Sequence, residues 1–259
     1  MIKHNFWQFE GIFRKPRLWS NEELKKIAPL FSGSIINVSA GKDLDKSINH
    51  SLKYFFTNNF DEGNPYNSYF VNASSYSITN YPNDKTTNKI EEIPLDLEED
   101  LPFELVETYD VVFNHTSLEH IFDVFKAFSN LCKISKDTVI VVVPFIQQVH
   151  DYGRGYKDYW RFTPFALDKL FEINGLTVLH RTSSKLCQSS IYYLYVASKH
   201  PERWKNYFEL NSLEEDIKTI NKGEKIFPIA RFQIKLEFKL RSFGNFIKKI
   251  LNKMKNKWT

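Results

Sequence analysis

Three residues between positions 150 and 161 offer the plainest chemistry in this chain: His150, Asp158 and Arg161. An imidazole titrates near neutrality, so His150 is the candidate general base. Asp158 either orients that imidazole or pairs with Arg161, and the sequence leaves both open. Tyr152, Tyr159 and Trp160 stand among them, and such rings stack on a sugar or an aromatic acceptor. Upstream, His115, Glu119 and His120 invite a metal reading, but the spacing refuses it. His115-x-x-x-Glu119-His120 is one residue too long for H-x-x-E-H, and H-E-x-x-H is absent. Thr116 and Glu119 have the spacing of a helix capping box instead, which would explain Glu119 structurally. Cys132 and Cys187 form no CxxC pair, which argues against a thiolate metal site and a disulfide framework and fits a reducing cytoplasm.

Elements of an α/β sheet must position them. Tyr109-Asp110-Val111-Val112-Phe113 and Thr138-Val139-Ile140-Val141-Val142-Val143-Pro144-Phe145 read as buried parallel strands around a helix ending near Cys132. The 150–161 stretch then falls just past a strand's carboxyl end, where such sheets bind ligands. Ser20 with Glu23 predicts a capped helix whose buried face is Leu24, Ile27, Ala28 and Phe31. It leads to a first strand at Ile35-Ile36-Asn37-Val38. A helix over 45–56, a second strand at Tyr69-Phe70-Val71 and a short third strand from Ile93 to Leu97 follow. Thr163 and Pro164 predict a helix start and Gly175 its end. Leu176–His180 and Ile191–Ala197 supply two last strands.

Asp-Val-Val, then Leu-Glu-His-Ile, then a valine strand ending in Pro-Phe, then His150 and Asp158-Tyr159-Trp160-Arg161-Phe162-Thr163-Pro164, resembles the class I S-adenosylmethionine-dependent methyltransferases. The likeness is greatest to a bacterial branch associated with surface glycans, and it covers about residues 34–198. It implies a Rossmann-like α/β fold, a mostly parallel seven-stranded sheet with helices on both faces and an antiparallel edge pair. It implies S-adenosyl-L-methionine as cofactor and a small-molecule or glycan acceptor, a lipid-linked glycan among them. Ser39-Ala40-Gly41 stands where the family has its glycine-rich turn, and Asn37 where it often has an acid. Asn72 and Ser74 fall at the ribose-binding position, again without the acid. Asp96, beside Leu97, matches the carboxylate that faces the adenine amino group, and Asn114 follows the next strand. The lost glycines and acid favour a different class of reading, a non-catalytic binding or scaffold module.

The chain has 259 residues, 42% of them apolar and 23 of them Phe, enough for one α/β domain with extensions. We read 1–33 as a cover segment and helix, 34–200 as the domain and 201–259 as a helical basic extension. Its net charge of +4 is uneven: residues 225–259 carry ten Lys and Arg against Glu237 alone, a net +9, leaving −5 elsewhere. An acidic body disfavours a nucleic-acid substrate and gives the tail its own acidic partner surface. Phe243, Phe246, Ile247, Ile250, Leu251, Met254 and Trp258 repeat at helical spacing beside lysines. Such a helix either packs on the domain or lies at an anionic membrane face. The expected location is the cytoplasm, with peripheral contact at the inner membrane.

Overall fold

The computed structural model describes residues 7–45, 63–82, 92–147, 149, 157–184 and 191–208. Seven strands form one sheet: β1 (Gly33–Val38), β2 (Ala73–Asn80), β3 (Ile93–Pro94), β4 (Tyr109–His115), β5 (Ser135–Ile146), β6 (Thr177–Ser183) and β7 (Ile191–Ser198). Their spatial order is β3-β2-β1-β4-β5-β7-β6. All neighbours run parallel except β7, which is antiparallel to both β5 and β6. This is the Rossmann-like sheet expected from the sequence, with its antiparallel edge pair.

Side chains alternate across the strands with period two, so each strand feeds two cores. Ile36, Val112, Val139, Val141, Tyr193 and Tyr195 face one layer. Ile35, Phe113, Ile140, Val142, Leu194 and Val196 face the other. The first layer is closed by α2 (Val124–Ile134) and α3 (Pro164–Ile173). Phe128 and Phe171 meet edge to face there at 4.9 Å between ring centroids. The second is closed by α1 (Trp7–Ile27), through Leu24 and Ile27, and by Tyr66, Tyr69, Phe70 and Phe208. Burial on both faces is why the strands are nearly continuous valine and isoleucine.

Helix α3 starts as expected: Thr163 Oγ1 accepts from Ala166 N at 3.2 Å and Pro164 takes the first position. Gly175, with φ +75°, follows its end. Three local expectations need correction. Ser20 does not begin a helix; α1 already runs from Trp7, with Pro16 inside it, and the Ser20 hydroxyl donates to the Arg17 carbonyl at 2.8 Å. Thr116 and Glu119 form no capping box. Thr116 sits at φ +51°, Leu118–His120 is a 3-10 turn, and α2 is capped later by Asp123, which accepts from Lys126 N. The second strand is not Tyr69–Val71. Tyr66, Tyr69 and Phe70 are needed in the core, so that aromatic run forms a 3-10 turn and the strand comes after it. On its outer side β2 meets only two-residue β3, and Ser74 and Ser75 are exposed, so this strand lacks the apolar run by which the second strand was placed at Tyr69–Val71. The expected helix over 45–56, beyond Asp45, and the tail helices from 209 lie outside the described residues.

Candidate functional site

Strand order reverses between β1 and β4, so their carboxyl ends border the crevice where open α/β sheets hold ligands. Beyond β1 the backbone turns tightly, with positive φ at Ser39 (+59°), Gly41 (+59°) and Asp43 (+52°). Residues with a Cβ rarely adopt this region, so the turn is held by others. Ser39 N donates to Thr79 Oγ1 at 3.1 Å, and Ala40 N to the Thr79 carbonyl at 2.9 Å. Asn80 clasps Gly41 from both sides: its Oδ1 accepts from Gly41 N at 2.6 Å and its Nδ2 donates to Gly41 O at 3.0 Å. The same Nδ2 reaches Glu92 Oε2 at 2.9 Å. Thus β2 ends on an Asn80–Glu92 pair beside the glycine. Among the described residues a Cβ built on Gly41 would meet nothing within 4 Å, so they leave this face of the turn open to a ligand.

Asn37 ends β1, with its Nδ2 donating to Asp43 Oδ1 at 2.7 Å; the Tyr76 hydroxyl donates to the same oxygen at 2.9 Å. Burial and then Asp43 push the Tyr76 pKa far upward, so its phenol stays protonated. Asn114 lies across from Val38, donating to its carbonyl at 2.9 Å and to Ser117 Oγ at 2.6 Å. The Oδ1 atoms of Asn37 and Asn114 are both buried without a hydrogen-bond partner. Orphaned acceptors at adjacent strand ends are where a ligand's ammonium group would be satisfied. Leu95 N donates to Asn80 O at 2.9 Å, which brings Asp96 to this edge. Asp96 Oδ1 accepts from Glu98 N at 2.9 Å, and Leu97 is buried in the core.

Six of the eight expected cofactor residues, Asn37, Ser39, Gly41, Asp96, Leu97 and Asn114, therefore gather at one end of the sheet. Asn72 and Ser74 do not. They precede or begin β2 at its opposite, amino end, and Asn72 Nδ2 bonds the Pro29 carbonyl at 2.6 Å. Asn80 and Glu92 stand at the carboxyl end of β2 instead. The signal was the short strand after Glu92 and the polar run before it, both hard to register without the sheet. With a carboxylate for ribose hydroxyls, orphaned amide oxygens for an ammonium and an open glycine face, the set fits S-adenosylmethionine.

A second group lies past β4. Thr116, β-branched yet at φ +51°, accepts from Arg17 Nη2 at 2.7 Å. Left-handed backbone at a β-branched residue is strained, and such strain gathers at functional sites. His115 hydrogen-bonds with Ser20 Oγ at 2.9 Å and with Thr116 Oγ1 at 3.0 Å. The Glu119 carbonyl accepts from Tyr159 N (2.7 Å) and Trp160 N (3.2 Å), tying the two loops together. Asp158 and Arg161 form a two-pronged ion pair; Arg161 Nη1 to Asp158 Oδ1 is 2.5 Å, and Nη2 bonds Oδ2. Of the two roles left open for Asp158, the described residues show the pairing with Arg161, whose own pKa it raises. His150 lies outside the described residues.

The group that sequence reasoning set aside is Glu119. It is 1% exposed. Its Oε1 is 3.9 Å from His120 Nε2, and its Oε2 is buried with no hydrogen-bond partner. Burial pushes its pKa from 4.5 up to about 8; Asp158 adds to this, while its own backbone N–H, Arg161 and Arg17 oppose it.

No family model and no curated protein matches the chain. Solved structures resemble it. An S-adenosylmethionine-dependent methyltransferase from Mesorhizobium loti is 10% identical, covering 72% of this chain and 99% of that one, with a TM-score of 0.47. One from Aquifex aeolicus is 13% identical over 73% and 96%, TM-score 0.45. The 1,6-didemethyltoxoflavin-N1-methyltransferase of Burkholderia thailandensis, solved with 1,6-didemethyltoxoflavin and S-adenosylhomocysteine bound, is 11% identical over 74% and 85%, TM-score 0.45.

Proposed function

We propose that the chain binds S-adenosyl-L-methionine and transfers its methyl group to a small-molecule or glycan acceptor. The observation that carries this reading is the open Gly41 turn at the β1/β4 switch point, bordered by Asn80–Glu92 and by the orphaned oxygens of Asn37 and Asn114. When bound, the cofactor supplies an electrophilic methyl group on a sulfonium. Glu92 and Asn80 would hold the ribose, Asn37 and Asn114 the amino-acid end, and Asp96 the adenine edge. On the acceptor side would stand Glu119 and the Asp158–Arg161 pair; His150 joins them as a proton-transfer candidate on its place in the sequence alone.

Phe122 and Tyr159 support an acceptor with a flat or ring-shaped face. Their rings meet edge to face at 5.4 Å and remain 66% and 48% exposed. Large exposed aromatics beside a polar site suit stacking on a sugar or heterocycle. A glycan acceptor, a cytoplasmic location and peripheral attachment at the inner membrane face belong to this proposal, the last through the basic residues 225–259.

Thermal melts of the full chain test the reading. S-adenosylhomocysteine raises the melting temperature by mass action if it binds the native state. Asp96→Ala reduces that rise. No shift at millimolar ligand favours the scaffold reading instead.

A further inference from the structure

We propose that Glu119 is the proton-holding group of the site, ionising when a positively charged sulfonium occupies the crevice and recovering its proton when the neutral thioether remains. The inference rests on the cofactor reading above and extends it to a residue the sequence had explained as a helix cap.

The geometry carries it. Glu119 lies on the turn that follows β4, the strand whose end carries Asn114. A carboxyl with one oxygen wholly buried and unbonded is costly when ionised, unless a positive charge is near. Among the described residues, the charged and titratable groups acting on it are Asp158 and Arg161 from the loop before α3, Arg17 from α1, and His120 on its own turn. Arg161 is already engaged by Asp158, and Arg17 by Thr116. Neither ion-pairs with Glu119 in the described structure, which is why burial dominates and the group stays protonated at neutral pH. A fixed positive charge within the same crevice changes this balance. At an effective dielectric of about 20, a unit charge about 7–10 Å away lowers a carboxyl pKa by roughly one to two units. Glu119 then crosses neutrality and sends its proton to solvent.

In this proposal the resulting carboxylate receives the proton of an acceptor hydroxyl. The account balances over one turnover. One proton leaves for solvent as the sulfonium enters. The acceptor oxygen then bonds the methyl carbon and loses its proton to Glu119, and the sulfur keeps the electron pair of the broken bond. The neutral thioether leaves with Glu119 protonated again.

No acceptor is needed to test this. Proton release is followed with a pH indicator in weakly buffered solution as full-length protein is mixed with saturating S-adenosylmethionine or S-adenosylhomocysteine. The two ligands share every titrating group and differ in the methyl and its charge, so their difference isolates the sulfonium. At pH 7 the wild-type protein releases about four-tenths to eight-tenths of a proton more with the sulfonium. The difference falls to zero near pH 9.5, where Glu119 is already ionised, and is absent in Glu119→Gln. Sinefungin, which carries an ammonium near the sulfonium's place, reproduces the release in wild type, so the test stands even if Glu119→Gln fails to fold. Equal release with both ligands while both bind overturns the inference and leaves the cofactor reading intact. So does a difference that persists in Glu119→Gln. Binding of neither ligand overturns the cofactor reading, and this inference with it.

Discussion

Replacing Glu119 by Gln tests the buried carboxyl without any ligand. The folded-state pKa of about 8 exceeds the ordinary 4.5. Below pH 4.5 the group is protonated folded and unfolded, and it contributes no penalty. As pH rises the unfolded chain ionises freely while the folded protein keeps its proton. Stability is therefore fully present at low pH and is lost up to the folded pKa, at about 1.4 kcal/mol per pH unit. Between pH 5 and pH 7.5 the loss is about 3 kcal/mol. Glu119→Gln keeps the shape and cannot ionise, so it lacks this loss. Urea unfolding of both proteins at pH 5 and pH 7.5 gives four free energies. The variant gains about 3 kcal/mol relative to wild type between the two conditions. Near pH 7.5 this corresponds to a melting temperature roughly 6–12 °C higher, relative to the difference at pH 5. Comparing pH values removes any fixed cost of the amide itself. Parallel pH profiles for the two proteins would refute a protonated Glu119.

Three further outcomes follow from particular residues. Gly33 has φ +85°, and a Cβ there would lie 2.3 Å from Asp110 Oδ2; Gly33→Ala therefore costs about 1–3 kcal/mol in urea unfolding, only partly recovered by adding Asp110→Ala. If His150 is a second proton-transfer group, His150→Ala lowers turnover by roughly 10²–10⁴-fold, with S-adenosylhomocysteine affinity unchanged by titration. Stopping the chain at Ser242 abolishes co-sedimentation with anionic vesicles while the domain stays folded by circular dichroism; aggregation or unfolding instead places residues 243–259 in a core or interface.

The sheet was legible because its strands are buried on both faces. Val139 to Val143 and Tyr192 to Ala197 admit no other reading at that length. The edge was less legible for the same reason inverted. Ala73–Asn80 has only two-residue β3 on its outer side and carries few apolar side chains, so the more apolar Tyr69–Val71 was read as the strand instead. That single misplacement put the carboxyl end of the strand at Asn72 rather than Asn80 and hid Glu92, which reaches Asn80 only in space. The other miss, Glu119, came from a local pattern that tertiary contacts override. Thr116 has the residue type of a cap, but Arg17 holds its hydroxyl from α1. Asp158 and Arg161 are three apart in the sequence, and their pairing was among the alternatives the sequence posed.

If the crevice at the β1/β4 switch point holds S-adenosylmethionine, calorimetric titration of the full chain with S-adenosylhomocysteine gives saturable one-to-one binding. Glu92→Ala, which removes the carboxylate proposed to hold the ribose, weakens it at least several-fold. Heats indistinguishable from dilution at millimolar ligand, with the protein folded, would contradict the cofactor reading.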